Sequence, residues 1–484
     1  MALAKLLDVP GGLITVFTTA LTTYFLSIAV YRVYFHPLSH IPGPLFAKIT
    51  SLWLCRHTYR GTEASTLLAL HRKYGPVLRI APNEVDISDG AALNTIYVAN
   101  GGFRKAQCYK NFDIDGHATV FSALDPNHRL PRAKAVLGMF ALGAIRSGNE
   151  SIVECVDRMT DRLERESERS KTEDKAVNVL NLTRSLALDA VSAYLFGKPY
   201  NGIMEEKLSA SQFVDAFVAV GRFFYLPNWA FLLLEMLEAR IDPEKDKVEK
   251  SMVTVDEFVA DLVDNANAED NTYQGRLKNA GFSDHENKAQ CKDLMFAGTD
   301  STGMNLATIL WNMAKQPAIY AKLREELLST PPSTDPMTLP YLRAVINEGL
   351  RLSMANPTRF PRIVPLGGFA TPTPKSYHLP PGTIVGVTPF TLYLNDEVYP
   401  SPEVFKPERW EYATPKMNRD HIPFGLGARQ CIARNLATVE LFIALDKLVR
   451  KDVLRGARAI GDKIEILEWF NSKVKDEKIE IAWN

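Results

Sequence analysis

"PFGLGARQCIARNLA", residues 423–437, holds one cysteine, Cys431, in a loop punctuated by Gly425 and Gly427, with Phe424 and Arg429 upstream and an apolar helical pattern downstream. Taken alone, the stretch leaves two readings open. A lone cysteine is among the most often buried side chains and packs as a small hydrophobe. The setting argues for more. The two glycines permit tight turns and close approach to a flat partner. A nearby cation and the free amides at the start of the following helix favour a thiolate, the form that binds metals.

The rest of the 484 residues narrows the choices. A net charge of zero gives no electrostatic footprint for nucleic acid. Five cysteines (Cys55, Cys108, Cys155, Cys291 and Cys431) include no CxxC pair, so the body reads as reduced and cytosolic rather than stapled by disulfides. The nine histidines form no HExxH and no zinc-type cluster, and no closed metal site made only of protein ligands is visible.

Between Asp8 and Arg32 there is no charged residue. That length crosses a hydrocarbon core of about 30 Å as a helix, and the bulky "VYRVYFHPL" that follows is unlike a signal-cleavage site. Residues 1–35 are therefore expected to form a retained anchor, its threonine hydroxyls bonding back to helix carbonyls. Arg32 favours a cytoplasmic body beyond it. "HPLSHIPGP" (36–44) places three prolines in nine residues and reads as a stiff, extended connector. "YGPVLRIAPNEVDISDG" alternates as a small sheet. A mostly helical region runs from about Asp125 to Ser329, and proline-rich segments with short strands occupy the last third.

Four further motifs agree with the cysteine loop in order and distance. "FGLGARQCIA" resembles the haem-binding loop of the cytochrome P-450 superfamily, F-x-x-G-x-R-x-C-x-G, through Phe424, Gly427, Arg429 and Cys431, with Ala433 where that family usually has glycine. "EGLR" places Glu348 and Arg351 on one helix face, and "FKPERW" supplies Arg409; by resemblance the three form a structural network under the haem. "MFAGTDSTGMN" resembles the oxygen-binding groove through Ala297, Gly298, Asp300 and Thr302, with Ser301 where threonine is usual. Gly298 implies a locally opened helix there, with a small-residue helix crossing as the alternative. "HRLPR" stands where the family has W-x-x-x-R, so His128 and Arg132 are expected, with Arg362 and Arg429, to meet the haem propionates. Pro131 implies an irregular start to that helix.

The resemblance runs from the anchor to the end of the chain. It implies a mainly α fold with a small β region, a helical prism that places haem b between the Asp300 helix and the Cys431 helix. Residues 36–484 then form one catalytic domain. The implied activity is a monooxygenase that inserts one oxygen atom of dioxygen into an apolar small molecule, with Cys431 as the iron ligand and Asp300, Ser301 and Thr302 as the proton relay. Serine keeps the hydroxyl but loses the methyl that restricts its rotamer. The chain carries no dinucleotide fingerprint, so electrons come from NADPH through a separate flavoprotein reductase at the basic face around the loop. "YGPVLRIAPNEV" and "LRAVINEGLRL" resemble the fungal microsomal branch, which implies a single-pass protein of the endoplasmic reticulum membrane in secondary metabolism. Substrate contacts are expected around 112–121, 213–229, Phe296, 357–360 and 469–470. Two other classes remain: a reductase-independent haem isomerase or dehydratase, and a non-catalytic haem- or lipid-binding protein.

Overall fold

The computed structural model describes residues 12–238 and 245–484; Lys5 and Asp8, at the start of the expected anchor, lie outside the described residues. Helix α1 (Gly12–Val30) continues into a five-residue turn, Tyr31–Phe35. The 22 residues from Ile14 to Phe35 are long and apolar enough to cross a membrane, and that span is not buried against the rest of the protein. Thr18, Thr22 and Ser27 donate to the carbonyls of Ile14, Thr18 and Thr23 at 2.8–2.9 Å, as the sequence implies.

The connector is not an extended spacer. Leu38 and Ile41 are fully buried, and the Arg79 amide donates to the Pro42 carbonyl at 2.7 Å. The Arg79 guanidinium reaches back to the Arg32 carbonyl at 2.8 Å, and Arg32 donates to the Ile49 carbonyl at 2.6 Å. The prolines set the turns, and burial of the two aliphatic side chains between them folds the segment onto the sheet.

That sheet has five strands: β1 (Val77–Ala81), β2 (Glu84–Ile87), β3 (Arg104–Lys105), β4 (Arg362–Ile363) and β5 (Ile384–Val387), in the order β1-β2-β5-β4-β3. The β2–β5 pair is parallel and the others are antiparallel. Register places Lys105 directly opposite Arg362.

The helices that frame the interior are α2 (Pro126–Val136), α3 (Glu150–Glu173), α4 (Val179–Phe196), α5 (Ala210–Val220), α6 (Asp284–Lys315), α7 (Pro340–Leu352) and α8 (Arg434–Arg450). Helix α2 runs unbroken through Pro131, with Pro126 in its first turn and the Asp125 side chain accepting from the Asn127 amide, so the irregular start is not seen. Ser283 caps α6, and Asp284 and Glu286 complement the dipole of its first turn. Helix α6 is continuous through Gly298, so the opened turn expected there is absent.

Gly298 instead serves a helix crossing. A Cβ there would lie 2.8 Å from Cγ2 of Val191 on α4, and one at Gly303 would lie 2.7 Å from Cγ of Arg184. Further along α6, a Cβ on Gly349 of α7 would lie 2.1 Å from Cγ1 of Ile309. Overpacking a close-packed contact of this kind costs about 1–3 kcal/mol. Gly349→Ala is therefore expected to lower the thermal unfolding midpoint, whereas Gly367→Ala, where a Cβ meets nothing within 4 Å, leaves it unchanged.

Candidate active site

Left-handed turns at Gly425 (φ 66°) and Gly427 (φ 68°) shape the loop that ends at Cys431. A Cβ on Gly427 would lie 1.9 Å from the Tyr97 carbonyl oxygen, so this glycine lets the loop press against the 94–98 turn. The Cys431 amide donates to the Phe424 carbonyl at 2.8 Å, which closes the loop. Ala433 caps α8 without a side-chain bond, and its methyl packs on the core. Cys431 is exposed, yet burial pushes its thiol pKa up, with the Ala433 amide and Arg434 pulling it back in part. Open surface on a deeply enclosed atom marks the wall of an interior space. The thiol is not the lowered one expected from the sequence, because desolvation outweighs the helix amides. Arg429 is not the cation beside it either; its guanidinium donates to the Ala123 carbonyl.

Beneath the loop, the Glu348 carboxylate is fully buried. It accepts from Arg351 at 2.7 and 3.0 Å, from Nε of Arg409 at 2.9 Å, from the Lys406 amide at 3.0 Å and from Nε1 of Trp410 at 2.9 Å. Burial alone would raise its pKa, and these donors reverse the shift and hold it below the usual carboxylate range. Arg351 extends the network to the carbonyls of Tyr393 at 2.9 Å and Pro402 at 2.6 Å. The sequence pointed to the two arginines but not to the indole, although Trp410 closes the same PERW motif.

Helix α6 presents one exposed residue between Asn287 and Ala314, namely Ala297. Ser301, one turn on, is half-buried and donates to the Ala297 carbonyl at 3.3 Å. Thr302 is buried, and Asp300 faces away. The Asp300 carboxylate pairs with Nη2 of Arg184 at 2.7 Å, and Nη1 of Arg184 donates to Ser211 at 3.0 Å. Burial raises the Asp300 pKa and Arg184 offsets part of the rise.

Four cations gather at the edge of the same interior. Lys105 and Arg362 are buried and directly opposed across β3 and β4. Like charges in that position repel. Burial drives the Lys105 pKa well down, and Arg429, Arg362 and Arg129 lower it further; the Arg429 pKa is pushed down to about 10 by burial, Arg129 and Arg362. Lys105 donates to the Phe121 carbonyl at 2.5 Å and Arg129 to the Val120 carbonyl at 3.2 Å. Among the described residues none of the four forms an ion pair.

A family model described as "Cytochrome P450" matches residues 41–451. The chain is a cytochrome P450. It is 38% identical to the cytochrome P450 monooxygenase mfmF of Annulohypoxylon moriforme, over 96% of this chain and 99% of that protein. It is 28% identical to the fusicoccadiene C-8 hydroxylase of Alternaria brassicicola, over 88% and 86% of the two chains, and 28% identical to the pisatin demethylase of Fusarium vanettenii, over 90% and 88%. These are fungal proteins, and this P450 is a haem-thiolate monooxygenase, an oxidoreductase acting with dioxygen on a small molecule.

The residues present fit haem. A thiol opens into the interior, and two buried cations stand opposed without an ion-pair partner among the described residues, which is the environment two propionates complete. Two residues expected at that edge are engaged elsewhere. Arg132 is ion-paired with Glu286, donates to the His128 carbonyl at 2.6 Å and lies over the Phe282 ring. The His128 ring bonds the Ala118 carbonyl at 3.1 Å. Lys105 and Arg129 stand at that edge instead. Strand pairing brings in Lys105, and Arg129, one turn before Arg132 on α2, bonds the Val120 carbonyl where Arg132 is drawn to Glu286; neither signal is readable before β3 and α2 are located.

The expected substrate segments also converge. Tyr109, Phe112, Phe224 and Phe470 form one buried cluster, with Phe121, Phe217 and Phe360 packed on it; the side chain of Phe213 lies outside the described residues.

The Glu348 network and its neighbours yield two expected outcomes. Trp410→Phe removes one donor while keeping a ring against Tyr399 and His421. It should cost about 1–2 kcal/mol, read as a lower thermal midpoint with haem still bound. His421 has its pKa pushed down to about 4 by burial and by Arg351, with Glu348 opposing. Unfolded histidine takes a proton near pH 6.5 and the folded one only near 4, so this contribution to stability is lost as pH falls through that window. Denaturation midpoints at about pH 7 and pH 5 should differ less in His421→Phe than in the parent protein.

Proposed function

We propose that this P450 holds haem b between α6 and α8, with the Cys431 thiolate on iron, and oxygenates an apolar small molecule of fungal secondary metabolism. The observation that carries the reading is the pair of open interior positions, Cys431 and Ala297, on elements that pack against each other. Haem supplies the activation of dioxygen, and a thiolate ligand favours O–O cleavage. Phe424 and Ala433 wall the loop. Lys105, Arg129, Arg362 and Arg429 hold the propionates, while Glu348, Arg351 and Arg409 keep the loop in register.

Ser301 offers a hydroxyl on the open face of α6, with Thr302 behind it. Arg184 holds Asp300 on the far side and also donates to Ser211, which borders a surface cleft of about 590 Å³. Electrons come from NADPH through a separate flavoprotein reductase docking on the basic face around Cys431. Residues 1–35 anchor the protein in the endoplasmic reticulum membrane, and residues 36–484 form the cytosolic catalytic domain. The named reactions of two relatives, a C-8 hydroxylation of fusicoccadiene and a demethylation of pisatin, support small fungal or plant metabolites as the substrate class.

A reduced carbon monoxide difference spectrum tests the ligand. The purified protein should give the red-shifted Soret band of a thiolate, and Cys431→Ser should abolish it. A band that survives the substitution removes the reading. For the propionates, Arg362→Leu should lower haem content per chain, while Arg132→Leu should leave it near that of the parent protein.

A further inference from the structure

The interior beside Ala297 is walled by rings that come from widely separated segments. Phe112 sits at the centre, 5.2–5.8 Å from Phe121, Phe217, Phe224 and Phe470, all tilted or edge-on. Phe217, on α5, lies parallel to Phe296, with centroids 4.9 Å apart and planes 10° apart. Phe296 is the residue immediately before Ala297. Phe112, Phe224 and Phe470 are buried, whereas Phe121 and Phe217 keep open surface although they pack into the same cluster. The surface this wall leaves open is therefore aromatic. The other half-buried hydrophobic side chains packed on the cluster are Cys108, Leu124, Val220, Tyr225 and Phe360, and the Lys105 ammonium lies over the Phe121 ring at 4.1 Å.

Rings wedged edge-to-face hold one another in place, so the wall cannot reshape itself around a bulky guest as a set of aliphatic chains could. A flat ring extends the direction already set by the Phe217–Phe296 stack. A saturated polycycle is puckered, and its axial hydrogens hold it off a ring face. We propose that this cavity selects a flat, sp²-carbon ring system over a saturated polycycle of the same skeleton, with Phe217 as the specificity-determining residue. The inference rests on the reading of Ala297 as the wall facing the haem.

The test is equilibrium dialysis of the full-length, haem-loaded protein against 1-naphthol and its saturated counterpart, decahydro-1-naphthol. The saturated alcohol is the more apolar, so burial alone predicts that it binds more tightly. Ring recognition predicts the reverse, with 1-naphthol bound at least about tenfold more tightly. Phe217→Leu should shrink that ratio to below about threefold, mainly through weaker binding of 1-naphthol, with the carbon monoxide difference spectrum unchanged. Equal or inverted affinities, binding of neither probe, or a ratio that survives Phe217→Leu overturns the inference. Loss of the thiolate band with the ratio intact would sink the monooxygenase reading and leave ring selection standing.

Discussion

A fully buried carboxylate must be neutralised where it stands, and Glu348 is neutralised by groups from three directions. Desolvating a charge costs several kcal/mol even after relaxation. The chain can bury Glu348 only if Arg351, Arg409, Trp410 and the Lys406 amide all arrive. Arg351 then binds the Tyr393 and Pro402 carbonyls, so one charge ties α7 to two points of an irregular segment with few backbone ladders of its own. Tyr393 in turn accepts, through its hydroxyl, the amide of Ile422 at 3.1 Å. Nine residues later comes Cys431. The position of a soft, exposed thiol is thus set by a hard, buried ion network that never touches it.

Glycine does the complementary work on the opposite wall. Gly298 and Gly303 let α4 sink onto α6, and Gly349 lets α7 do the same further along it. Held between neighbours, α6 has no freedom to roll, and that is why one residue, Ala297, meets the interior while nearly every other position is buried. The same clamping decides what Asp300 does. Its neighbours in space are on α4, and Arg184 captures it.

How much of this was legible in the sequence depends on the range of the interaction involved. The apolar N-terminal helix, the small sheet and the mostly helical middle come from local periodicity, the Glu348–Arg351–Arg409 triad from the resemblance its motifs carry, and each appears where it was expected. The failures share a cause. Gly298 and the proline connector were read for local conformation, but their conformations answer to Val191 and to the sheet surface. Arg132 was placed by motif register, while Glu286 decides where its guanidinium goes. Lys105 carries no sequence signal at all, since its importance comes from a cross-strand partner 257 residues away.

The adjacent pair Asp300 and Ser301 shows the consequence of one helix serving two faces. Successive helical residues diverge by about 100°, so an acid and an alcohol next to each other in sequence point in different directions. Here the acid is held outward by Arg184 and the alcohol stays on the side of Ala297. In the proposed relay, a proton passing between them would need rotation of the Asp300 side chain away from Arg184, or water between the two groups. Serine suits that geometry in one respect. Without the methyl of threonine its hydroxyl can leave the Ala297 carbonyl and turn at low cost. The same freedom lets it miss, so under the proposed relay the grip of Arg184 on Asp300 matters more than the residue on the open face.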